Sequence, residues 1–80
     1  MAVTEQIVRK RYKNDRSGVR FYADGPGFID IWFKDGRGYR YERHKPGAHH
    51  VAAMRHLAQV GKGLATYINQ HVRLNYARKL

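Results

Sequence analysis

The chain has 80 residues, with 16 Lys and Arg against 6 Asp and Glu, so its formal net charge is +10 before any of its five histidines protonates. That length allows one domain and leaves little room for a large enclosed pocket, while a 42% hydrophobic content argues against wholesale disorder. The absence of Cys excludes a disulfide framework and a cysteine-ligated zinc as the source of stability. Polyanions are the natural partners of so large a cationic surplus. Nucleic acid fits better than an anionic membrane, because no basic helix carries a bulky apolar face. Residues 1–6 show no signal-peptide apolar run, and no segment reaches the ~20 apolar residues that span a bilayer. A cytoplasmic protein is therefore expected.

In chain order, residues 1–16 hold the cluster Arg9, Lys10, Arg11, Tyr12, Lys13 and Arg16, which reads as a basic N-terminal arm or an extra strand. From Gly18 the period becomes two: Val19, Phe21 and Ala23 alternate with Arg20 and Tyr22 up to a turn at Asp24-Gly25-Pro26-Gly27. Residues 28–34 are aromatic and β-branched and run into Asp35-Gly36, a hairpin signal, after which residues 38–43 return as a third strand. Lys45-Pro46-Gly47 breaks the pattern. Val51, Met54, Leu57 and Ala58 then predict a helix over 48–60, and Leu64, Ile68 and Val72 a second over 64–76, with Gly61-Lys62-Gly63 between them.

The expected fold is α+β: a three-stranded antiparallel β-meander over 18–43, followed by two α-helices packed on one face. It occupies residues 17–76, with 77–80 as a basic C-terminal tail. Pairing Phe21 with Ile29 directs Val19, Phe21, Ile29, Ile31 and Phe33 toward the helices. The expected core cluster is Phe21, Ile31, Phe33, Val51, Leu57, Leu64 and Ile68. A three-residue hairpin loop with Gly36 left-handed sets Tyr39 and Tyr41 beside Ile31 and Ile29, whereas a two-residue loop pairs Tyr39 with Trp32. The first keeps the apolar residues together. Arg20, Tyr22, Asp30, Trp32, Lys34, Arg40 and Glu42 then form an opposite face, which is either an open stacking platform or a small second core under Val3, Ile7 or Tyr12.

Tyr39-Arg40-Tyr41, and the later run from Tyr67 through Asn69, Val72 and Arg73 to Tyr76, resemble the KTSC domain, named for the C-terminus of some lysyl-tRNA synthetases. The resemblance covers roughly residues 17–76. It departs from the family where Gly61-Lys62-Gly63 lies further upstream of Tyr67 than the usual Ser-Lys-Gly, and where Ile68 replaces a Phe. It implies a stand-alone domain thought to bind RNA, with Tyr39, Tyr41, Tyr67, Asn69 and Arg73 as the family-like residues.

Other chemistry finds little footing. His44, His49, His50 and His56 fall within thirteen residues, but the two on one helix face are two turns, or about 10 Å, apart. Ser17 is the sole serine, and no nucleophile pairs with a base in a known motif. Neither Gly36-x-Gly38 nor Gly61-Lys62-Gly63 has a P-loop frame, although amides at the start of the second helix, helped by Lys62, offer a place for one phosphate. No enzyme activity and no cofactor are expected. The expectation is a nucleic-acid-binding module, with RNA favoured over DNA, using Arg9, Lys10, Arg11, Lys13, Arg20, Tyr22, Trp32, Arg40, Lys62 and Arg73. The alternatives are a sheet-type binder of duplex DNA, with Arg20, Trp32 and Arg40 on the bases, and a protein-interaction module for an acidic partner.

Overall fold

Pro26 and Gly27 set the register on which the sheet is built. The computed structural model describes residues 8–80. In it β2 (Val19–Gly25) and β3 (Phe28–Phe33) pair from Gly25 opposite Phe28, leaving those two residues as the loop. Proline presets the first loop position, and Gly27 takes the positive φ of 76° required at the second. The tight loop puts Tyr22 opposite Ile31 and Phe21 opposite Trp32. This corrects the expected Phe21–Ile29 pairing: the two registers differ by an odd number, so every side chain of β2 around Phe21 changes face. A bulge between Val19 and Phe21 restores the parity at the start of the strand, and Val19 returns to the core, 1% exposed.

The second hairpin follows the expected three-residue loop. The Phe33 N–H donates to the Arg37 carbonyl across a loop closed by Gly36 at φ 91°, and β4 (Gly38–Glu42) aligns Tyr41 with Ile29 and Tyr39 with Ile31. Two short strands extend the meander: β1 (Lys10–Arg11) pairs with β2, and β5 (Arg78–Lys79) pairs with β4. The sheet is thus five-stranded and antiparallel in the order β1-β2-β3-β4-β5. The C-terminal residues expected as a tail therefore form an edge strand.

Helix α1 (Ala48–Val60) ends at Gly61, whose N–H donates to the Leu57 carbonyl. Helix α2 (Leu64–Tyr67) continues as a π-helical turn over Ile68–Val72. It stops short of the expected Tyr76, which instead lies against the Tyr39 ring with centroids 4.6 Å apart. Both helices cover the face bearing Ile29 and Ile31. Val51, Met54 and Ala58 from α1, with Leu64, Ile68 and Val72 from the second helix, enclose Val19, Tyr22, Ile29, Ile31 and Tyr41. Phe33 and Leu57 pack at the margin, and Phe21 has no place in this cluster.

Tyr12 belongs to the core as well, at 2% exposure. Its N–H donates to the Arg20 carbonyl at 2.9 Å, and its hydroxyl accepts from the Leu64 N–H at 3.3 Å, so it ties the N-terminal strand to the start of α2. The amide proposed from sequence as part of a phosphate nest is therefore already bonded. A covering role for Val3 and Ile7, and residues 1–7 of the basic segment generally, lie outside the described residues. Tyr12→Ala should cost about 3–5 kcal/mol, as large-to-small aromatic changes in cores do. Tyr12→Phe, which leaves the Leu64 amide without an acceptor, should cost about 1–3 kcal/mol. Urea denaturation of the two variants measures both, and near-native stability of Tyr12→Ala would show that the N-terminal segment is no part of the core.

Candidate functional site

The sheet face turned away from the helices carries Phe21, Trp32 and the guanidinium groups around them. Strand alternation puts Phe28, Asp30 and Trp32 there, with Ala23 beside Asp30 on β2 and Arg40 beside it on β4. Its centre is sealed. Asp30 is 1% exposed and receives two bonds from Arg40, at 2.7 Å from Nε and 2.8 Å from Nη2. Arg40 also lies 4.4 Å from the Phe28 ring centroid. The open platform expected from sequence is thus narrower than drawn, and the Arg40 charge is matched by a buried carboxylate.

Toward β1 the face is basic and aromatic. The Arg9 guanidinium lies 4.1 Å from the Trp32 ring and 6.0 Å from that of Phe21, and Arg20 lies 5.4 Å from Phe21 on another approach. Such distances suit cation–π attraction. Trp32 in turn crosses Gly38, where any Cβ would meet the indole at 2.6 Å, so only glycine allows the ring to lie flat on β4. Beside this array the bulge of β2 opens a hollow of about 440 Å³ whose lining includes Arg11, Arg20, Phe21 and Lys34.

The remaining residues singled out by sequence disperse. Tyr22 is a correction: it is 7% exposed in the helix-side core and cannot offer a stacking face. Lys10 reaches Asp24 at 3.4 Å on the helix side of the edge strand. Lys13 packs its stem on Gly61, next to Lys62 in the interhelical turn. Arg73 lies at the far edge of the sheet.

At that edge four of the family-like residues converge. Tyr39, Tyr41, Asn69 and Arg73 line a groove of about 380 Å³ between β4, β5 and the π turn, together with Tyr76 and Lys79. The π geometry repeats its side chains at about four residues here: Ile68 and Val72 are both buried, and Asn69 and Arg73 both line the groove. Tyr67, the fifth family-like residue, turns elsewhere. Its hydroxyl lies 2.7 Å from His50 Nδ1, and its ring stacks on His71 at 4.5 Å. Sequence reasoning missed this His50–Tyr67–His71 cluster because its members come from both helices and no local spacing joins them. Among the described residues, no three His, Asp or Glu side chains form a metal-binding group.

No family model, no curated protein and no solved structure matches this chain.

Tyr41 has the strongest electrostatic signature of the groove. Burial first, and then the neighbouring Tyr39 and Tyr76 hydroxyls, push its pKa from 10.0 up to about 12. The folded state therefore holds this proton after the unfolded chain has released it. The contribution is intact below pH 10 and is lost as pH rises toward 12, by up to about 3 kcal/mol at roughly 1.4 kcal/mol per pH unit. Stability measured across that window should fall more steeply for the native chain than for Tyr41→Phe; equal slopes would place the Tyr41 hydroxyl in water.

Proposed function

We propose that this protein is a nucleic-acid-binding module that prefers single-stranded RNA. The observation that carries the reading is the balance of its charges. Each described carboxylate has a cationic partner: Asp15, Asp24, Asp30 and Asp35 are held by Lys10, Arg11, Arg37, Arg40 and Arg55, and Glu42 lies beside His44. Eleven of the 16 Lys and Arg form no ion pair among the described residues. Two of them, Arg9 and Arg20, adjoin the half-buried rings of Trp32 and Phe21. Unpaired bases stack on both aromatic rings and guanidinium planes, so such an array suits a single strand.

Duplex DNA is less well served. A sheet in the major groove would set Arg20, Trp32 and Arg40 on the bases, but Arg40 is bound to the buried Asp30 at 2.7 and 2.8 Å and Trp32 lies 4.1 Å from the Arg9 guanidinium. Membership of the KTSC family is part of the same proposal, supported by the meeting of Tyr39, Tyr41, Asn69 and Arg73 in one groove.

Filter binding with single-stranded RNA, double-stranded RNA and duplex DNA at two salt concentrations tests the reading. If about five phosphates are neutralised, log affinity for a single strand should fall with log salt at a slope of roughly −3.5. Arg20→Gln should make that slope shallower by about 0.7. Phe21→Ala should cost about 1–3 kcal/mol of binding if one base stacks on the ring, with the slope unchanged. No binding to any nucleic acid at low salt would discard the proposal in favour of an acidic protein partner.

A further inference from the structure

The groove at the β4–β5 edge is separate from the array on the opposite sheet face, and its lining is selective in its own right. Its charged members are Arg37, Arg73 and Lys79 against Asp35, which Arg37 already approaches at 3.4 Å. A net positive, ring-lined hollow of about 380 Å³ lies within the size range of small-molecule sites. The tilted Tyr39–Tyr76 pair presents aromatic surface there, and Phe33 meets Tyr39 edge-on at 6.1 Å.

Tyr41 closes the floor of the groove at 0% exposure, close enough to the Tyr39 and Tyr76 hydroxyls to feel them. The groups that face solvent there are the Tyr39 and Tyr76 rings, the Arg73 and Lys79 cations, and Asn69, which adds an amide that both donates and accepts.

We propose that this groove binds one nucleoside monophosphate unit, with its base on the Tyr39–Tyr76 rings and its phosphate against Arg73 and Lys79. Asn69 bonds the polar edge of the base or the ribose. The ring surface asks for a planar aromatic group, the cations ask for an anion, and the Asn69 amide asks for a hydrogen-bonding edge. A nucleotide combines all three, whereas an aliphatic phosphate or an acidic peptide supplies fewer. The unit is either free or an unpaired residue of a strand; in the latter case the proposal rests on the nucleic-acid reading above.

Calorimetric titration of the full chain with AMP, adenosine, inorganic phosphate and a hexamer of oligoadenylate tests this. AMP should bind more tightly than either adenosine or phosphate. Asn69→Ala, at an exposed position, should weaken AMP about 3–10-fold. Arg73→Gln, also exposed, should weaken it about tenfold or more. A hexamer that binds more tightly than AMP, and loses affinity in the same variants, assigns the groove to a strand; a hexamer no tighter than AMP assigns it to the free nucleotide. AMP binding no tighter than phosphate, or unchanged in both variants, overturns the proposal. If the hexamer still binds through Arg9 and Arg20 in that case, the groove fails while the wider RNA reading stands.

Discussion

The parity of β3 governs nearly everything else in this molecule, and the Asp30–Arg40 pair holds that parity in place. Ile29 and Ile31 are completely buried toward the helices, and Asp30 between them is 1% exposed on the other face, where Arg40 grips it with two bonds. A slip of one residue between β3 and β4 would bring the carboxylate among Tyr41, Met54 and Ile68 and leave the guanidinium without its partner. Buried ion pairs contribute uncertain net stability, but a broken one is costly, so the pair excludes the wrong registers more than it deepens the right one. With that register fixed, Tyr39 and Tyr41 face the second helix and build the groove, while Trp32 lies across Gly38 on the far side.

Elements with strong local signals were legible in the sequence. The 3.6-residue spacing of Val51, Met54 and Ala58 between Gly47 and Gly61 gives α1, and Asp35-Gly36 gives a hairpin that places both tyrosines correctly. The β2 strand was misread because Val19, Phe21 and Ala23 look like one unbroken alternation. A bulge divides them, and nothing in the residues themselves announces it. The edge strands β1 and β5 contain two residues each, all Lys or Arg; β5 reads as a tail and β1 as either an arm or an extra strand, because the only structural asset of such a stretch is the neighbour it pairs with. Tyr12 reads from sequence as part of a second core on the face away from the helices, whereas it packs on the helix side, because its hydroxyl meets the start of α2, a contact that no local spacing announces. For the same reason Arg73 and Asn69 could be named from sequence while the groove around them could not.

Charge is distributed so that the sheet carries chemistry on both faces. The solvent side of α1 is built mainly from Ala, His, Gln and Val60, with Arg55 as its single Lys or Arg, and the other cations occupy strands, turns and edges. Strand β5 connects the two surfaces: Arg78 pairs with Arg40 on the aromatic face, and Lys79 pairs with Tyr39 at the groove. Its charges also guard an exposed strand edge against pairing with other chains, a role that needs no ligand. That protective function does not account for Arg9 lying on Trp32 or for the Tyr39–Tyr76 ring pair that shares the groove with Arg73 and Lys79. The preferred account therefore has a single strand meeting two basic, ring-lined surfaces joined by the β5 edge.

The most direct test is a nuclear magnetic resonance titration of isotope-labelled protein with a short unstructured oligoribonucleotide at low salt. The account predicts shifts at the Trp32 indole and at the amides of Phe21, Tyr39, Asn69 and Arg73, with the outer side of α1 at Ala52, His56 and Gln59 unmoved. Shifts confined to α1, or none at any of these positions, would contradict it.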